Sequence, residues 1–136
     1  MRSSARGITH PKEVVMKQVL DLKKLVTENE NYRKVLMTGK QSQVVMMSLS
    51  PGEEIGEEIH PTVDQIFLFE DGKGEIVLDN KMLPIEEHSA AFVPAGVKHT
   101  IRCTGKKPLK LCSIYAPPIH APELLEKHAP KSFVKT

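Results

Sequence analysis

The feature that most limits what this chain can become is a series of interruptions. From Tyr32 to Pro117, apolar or alternating stretches of a few residues follow one another, and turn-forming residues separate them. The stretches are "YRKVLMT", "SQVVMMSLS", "EEIHP", "QIFLFE", "GEIVLD", "AAFVP", "HTIRC" and "LKLCSIYAP". The punctuation is "GK", "PGEEIG", "EDGKG", "DNK", "PAG" and "TGKKP". Many short strands at close spacing, with Gly, Pro and Asn turns, predict an all-β sandwich or barrel.

Helical signals stand only at the two ends. "DLKKLVTENE" sets Leu22, Leu25 and Val26 at i, i+3 and i+4 behind Asp21 as cap, which predicts one short N-terminal helix. "VVMKQV" before it reads as a short strand, and "APELLEKHAP" near the C-terminus as a second short helix. Residues 1–11 read as a flexible start and 12–136 as one domain, since 136 residues can bury a single core without staples.

Composition removes several partners. The formal charge is only +2, and basic residues are interleaved with acids, so no basic stripe invites nucleic acid. Aromatics make up 4 % and tryptophan is absent, which argues against a base-stacking platform. The longest apolar run, "VVMM" at Val44–Met47, cannot span a bilayer, and "MRSSARGITH" lacks the apolar segment of a secretory signal. A cytoplasmic protein without membrane partners is the expectation. Cys103 and Cys112 flank "TGKKPLKL", which reads as a hairpin turn that would bring them near each other. For a chain without an export signal, two free buried thiols are expected over a disulfide.

The chemistry concentrates in "GEEIGEEIHPTVDQIFLFEDG", Gly52–Gly72. Residues i and i+2 of a strand share a face, so Glu58 and His60 point the same way. Gln65 can return beside them on the next strand, with Phe67 and Phe69 continuing on its face. "VPAGVKHTIRC" adds a tight Pro94-Ala95-Gly96 turn and then His99 at the head of a strand. A carboxylate, two imidazoles and an amide are ligands for a divalent first-row metal, and each would be costly to bury alone. Taken singly, Glu58 reads as part of a solvated acidic loop and His60 as a half-buried histidine bonded to backbone. Lys98 and Arg102 alternate away from His99 and read as surface, as does His120 beyond Pro117 and Pro118. Met46 and Met47 read as core and exterior neighbours on one strand.

These residues carry a resemblance. The chain resembles a single-domain cupin, whose first motif runs Gly, five residues, His-x-His, three or four residues, Glu, six residues, Gly. Here Gly52 is followed after five residues by Glu58-Ile59-His60, after four more by Gln65, and after six more by Gly72. The second motif runs Gly, five residues, Pro-x-Gly, two residues, His, three residues, Asn. Here His88, Pro94-Ala95-Gly96, His99 and Cys103 keep that spacing. The motifs span 52–103, and "PGEEIGEEIHPTVDQ" with "IYAPPIH" is similar to a bacterial subgroup labelled mannose-6-phosphate-isomerase-like.

The resemblance implies a double-stranded β-helix, or jelly-roll barrel. It implies one divalent metal (Mn, Fe, Zn or Ni) on Glu58, His60, Gln65 and His99. Glu58 stands where the family has histidine, Gln65 where it has glutamate, His88 where it has glycine, and Cys103 where it has asparagine near the rim. If the glycine position needs a positive φ, His88 is strained there. The activity implied is a metal-dependent isomerase acting on a small polar molecule such as a sugar or sugar phosphate. Glu58 would be the general base if it is not a ligand. Two alternatives remain at this point: a non-haem iron dioxygenase built on two histidines and a carboxylate, and a binding cupin without turnover. Apolar residues on both faces of "LKLCSIY" and "QIFLFE" predict a homodimer.

Overall fold

The computed structural model describes residues 19–130. The flexible start and, apart from Val19, the "VVMKQV" strand lie outside them. Among the described residues one helix, α1 (Leu22–Glu28), precedes ten strands: β1 (Arg33–Thr38), β2 (Gln43–Leu49), β3 (Glu54–Glu58), β4 (Asp64–Asp71), β5 (Gly74–Leu78), β6 (Lys81–Ile85), β7 (Ala90–Val93), β8 (His99–Cys103), β9 (Leu109–Ala116) and β10 (Leu125–Glu126). They form an antiparallel six-stranded sheet, in the order β10-β1-β2-β9-β4-β7, and a four-stranded sheet, in the order β3-β8-β5-β6. The all-β expectation holds.

Alternation decides which residues meet between the sheets. On β4, Gln65, Phe67 and Phe69 are buried while Ile66 is exposed. On β9, Leu109, Leu111, Ser113 and Tyr115 face the same interior. With Met47, Leu49, Ile76, Ile101 and Cys103 they make the main core. Leu49, Leu109 and Leu111 occupy one end of this interior, and Gln65, Ser113, Tyr115 and His99 the other.

Several expectations change. The C-terminal "APELLEKHAP" is not a helix among the described residues. It makes a turn and then β10, which pairs with β1 through Arg33↔Glu126 and Lys34↔Leu125. The edge of a sheet offered unpaired backbone groups that a short helix could not satisfy. Strand β6, "KMLPI", was hidden by Pro84, which an edge strand tolerates. "TGKKPLKL" is no hairpin, because β8 and β9 belong to different sheets and the segment crosses between them. Cys103 therefore sits in the main core, not at the rim, and Cys112 in a separate cluster; both are free and buried. Burial in that cluster pushes the Cys112 thiol up to about 11.

That second cluster explains helix α1. Asp21 caps the helix by accepting from the Lys24 N–H at 3.2 Å. A seven-residue helix is not stable alone. Val26, fully buried, packs on Met46 and Cys112, with Leu22, Leu25 and Leu68 around them. Part of the outer apolar face of the larger sheet is thus covered by the chain's own helix, which buries Met46, while Met47 is buried in the main core instead of lying exterior.

Candidate metal centre

Glu58 ends β3 directly opposite His99, which begins β8, in the antiparallel ladder. The register shifts between Ile55 and Glu58. Such irregularities re-aim a side chain. His60 follows two residues later, in the turn. Its carbonyl accepts from the Gly96 N–H at 2.9 Å, and the Asp64 carboxylate accepts from the Ala95 N–H at 2.9 Å. These two bonds dock the Pro94–Gly96 turn onto the 60–64 segment, and so set His99 relative to His60. Gly96, at φ +88, supplies the left-handed backbone the turn requires.

The result is a close triad. One ligand atom from each of Glu58, His60 and His99 lies within 4.8 Å of the others. Glu58 Oε1 is 3.2 Å from His60 Nε2 and 3.8 Å from His99 Nε2. Two ligands on a shared ion at about 2.1 Å each stand at most about 4.2 Å apart, so small side-chain adjustments suffice to hold one.

The orientation of His99 favours a cation. Its Nδ1 is 3.1 Å from the Val97 carbonyl, which can only accept, so Nδ1 carries the hydrogen and Nε2 the lone pair. That Nε2 is buried without a hydrogen-bond partner among the described residues. Burial pulls the His99 imidazole below its ordinary pKa, which keeps it neutral and fit to ligate. Phe67, with its ring centroid 6.0 Å from that of His99, walls the site on the core side.

Gln65 is buried on the same interior. Its Nε2 donates to Ser113 Oγ at 2.8 Å, which orients the amide and leaves Oε1 buried without a partner among the described residues. Three of the four expected ligands are thus gathered at one point. The fourth lines the interior with an unpaired oxygen acceptor. Unpaired acceptors beside a carboxylate suit a divalent first-row ion, and a cation offsets the cost of burying them.

Several residues at this end were not anticipated. His120 is half-buried, not on the surface. Gln43 holds its segment: the Gln43 side chain accepts from the Ile119 and His120 N–H groups at 3.2 and 3.0 Å and donates to the His120 carbonyl at 2.8 Å. The His120 ring meets Tyr115 edge-on at 5.0 Å, and its Nε2 is buried and unpaired among the described residues. Burial lowers the pKa of His120 and raises that of Tyr115 to about 12, so both are neutral near pH 7. Arg33, on the inner face of β1, puts Nη2 3.9 Å from Glu58 Oε2. The one sequence signal for these residues was alternation: Ser113 and Tyr115 continue the inward series of Leu109 and Leu111, and Arg33 that of Val35.

Comparison with known proteins agrees with this architecture. A family model described as a cupin domain matches residues 45–115. The chain is 44 % identical over 108 residues to protein YrkC of Bacillus subtilis, covering 75 % of this chain and 58 % of that relative's length. It is 28 % identical over 76 residues to a mannose-1-phosphate guanylyltransferase of Salmonella montevideo, covering 56 % of this chain and 16 % of that protein. Among solved structures, BH2720 of Bacillus halodurans superposes with a TM-score of 0.79 at 38 % identity, over 80 % of this chain and 87 % of that one. The domain match takes in half of the chain, its two motifs supply the triad, and a solved relative shares the two-sheet barrel, so this chain belongs to the cupin family.

Proposed function

We propose that the chain is a metal-dependent, isomerase-like enzyme of the mannose-6-phosphate-isomerase-like cupin subgroup, acting on a small polar substrate such as a sugar or sugar phosphate. The observation that carries the metal reading is the triad of Glu58, His60 and His99, with the unpaired Gln65 oxygen on the same interior. The sugar reading is supported by the motif resemblance and by the likeness to a mannose-1-phosphate guanylyltransferase. A divalent ion there would polarise a substrate carbonyl and acidify the adjoining C–H.

The chain's residues have separable duties in this reading. His60, His99 and Gln65 hold the ion, and Phe67 keeps water from the core side. Glu58 is either the fourth ligand or, with the ion on the other three, the base that takes the proton. The Tyr115 hydroxyl stays neutral and can only share a hydrogen bond. Two separately buried free thiols fit a reducing, cytoplasmic setting. The exposed outer row of Ile66 and Phe92 supports a homodimer.

The same two-histidine, one-carboxylate set favours a second reading, a non-haem iron dioxygenase. Metal analysis of untagged protein tests the common ground: about one ion per chain is expected, lost in His60→Ala and His99→Ala. Loaded protein is then offered sugar phosphates in deuterated water. Deuterium entering the substrate supports isomerisation, and oxygen uptake by the Fe(II) form supports the oxygenase. Tight binding without any change leaves a non-catalytic binding cupin.

A further inference from the structure

Arg33 is a buried cation in an interior that has little use for one structurally. The residue is 9 % exposed, and its guanidinium is only partly engaged. Nη1 donates to Glu126 at 2.9 Å, which ties β1 to β10. Nε is buried with no hydrogen-bond partner among the described residues. Nη2 is 3.9 Å from Glu58 Oε2, too far for a hydrogen bond. A guanidinium presents two parallel N–H groups along its Nε–Nη2 edge, spaced to meet both oxygens of a carboxylate. Along this edge Nη2 makes only the long contact to Glu58, and Nε, buried and unpaired, is costly to leave so.

Glu58 joins this edge to the triad. One of its oxygens faces His60 and His99, and the other faces Arg33. Tyr32 stacks under the guanidinium, whose Cζ is 5.2 Å from the ring centroid, and the Tyr32 hydroxyl is also buried and unpaired among the described residues. Charge selects further. Arg33 stands between two carboxylates, so these three side chains together carry one net negative charge. A divalent ion would turn that into one net positive charge. The group then accepts a monoanion, and an anion only when the metal is bound. A phosphate ester carries more charge than this balances, and among the described residues no second buried lysine or arginine stands beside Arg33 to meet it.

We infer that the Nε–Nη2 edge of Arg33 is a carboxylate subsite, and that the substrate is a small carboxylate such as a hydroxy or sugar acid. This rests on the metal reading above and, among small polar substrates, puts a carboxylate in place of the sugar phosphate. The carboxylate sits on Arg33 while a neighbouring oxygen reaches toward the triad.

The test begins with zinc binding to the untagged wild-type protein and to Arg33→Lys, measured by calorimetry. Zinc-loaded proteins are then titrated with glycolate, with its neutral counterpart glycolamide, and with inorganic phosphate. Wild-type protein is expected to prefer glycolate to glycolamide by about tenfold or more. Arg33→Lys keeps the charge but loses the planar edge, so the preference should fall by about fivefold or more while zinc affinity stays within about threefold. Glycolate should not bind the metal-free protein. An unchanged preference in Arg33→Lys, or no glycolate binding by the zinc form, overturns the subsite and leaves the metal reading standing. Phosphate binding more tightly than glycolate, and lost in Arg33→Lys, overturns the carboxylate assignment. Failure of the wild type to bind zinc overturns the metal reading, and the subsite with it.

Discussion

His88 shows what one residue costs when it occupies another's conformation. Its φ is +64, in the left-handed region, where the family pattern has glycine. Its side chain is 66 % exposed and only 3.9 Å from Glu70, too loose to compensate. His88→Gly should therefore stabilise the protein by about 0.5–1 kcal/mol, the relief of left-handed strain exceeding the added freedom of the unfolded chain; the urea midpoint measures this. His99 and His120 make the opposite kind of statement. Burial lowers both imidazole pKa values in the folded protein, so below about 6.5 the unfolded chain binds more protons than the folded one. Their contribution to stability is complete above that value and is lost as pH falls through it towards the folded values. Urea titrations of metal-free protein between pH 8 and 5 should show this decline, and His120→Gln should make it shallower. An equally steep slope in that variant would deny His120 its buried place.

At the scale of elements, two joints deserve measurement. Gly72, between β4 and β5, has φ +96, and an added Cβ would stand 2.5 Å from the Pro108 carbonyl oxygen and 2.9 Å from the Leu109 Cα. Both neighbours are backbone and cannot step aside. Gly72→Ala should cost about 2–4 kcal/mol from strain and overpacking together, read as a lower melting temperature. The helix is the second joint. Since α1 is held by tertiary contact and not by length, Val26→Ala should loosen it before the barrel yields. Cys112 lies beneath it, so its reaction with a thiol reagent should quicken about tenfold at unchanged barrel stability, while Cys103 in the main core stays protected.

At the scale of the whole molecule, the described residues leave an apolar row outside. Phe92, Ile66, Ile114 and Val44 stand side by side across β7, β4, β9 and β2, next to the rung that α1 covers. Ile66 is 37 % and Phe92 54 % exposed. Sedimentation at micromolar concentration should find a dimer, and Phe92→Asp should shift it to monomer with its fold intact. A wild-type monomer would show that α1 covers as much of this face as the protein needs. No helix among the described residues is long and apolar enough to cross a membrane.

Period and spacing made the barrel legible in advance. Alternation named the inward residues of β4 and β9, Asp21 announced the helix, and the distances between Glu58, His60, Gln65 and His99 along the chain announced the centre. Those signals are local, and each of the two motifs, 52–72 and 88–103, is complete in itself. What stayed hidden was pairing at a distance. That the helical composition of "ELLEK" at 123–127 would yield a strand depended on the open edge of β1, about ninety residues away in the chain. That Arg33 would reach Glu58 depended on how the two sheets face each other, and that His120 would meet Tyr115 depended on Gln43 catching the backbone at 119–120. A side chain's type and neighbours in sequence state what it can bond; which partner it meets is settled only when both sheets have closed and the buried polar groups must be satisfied inside them.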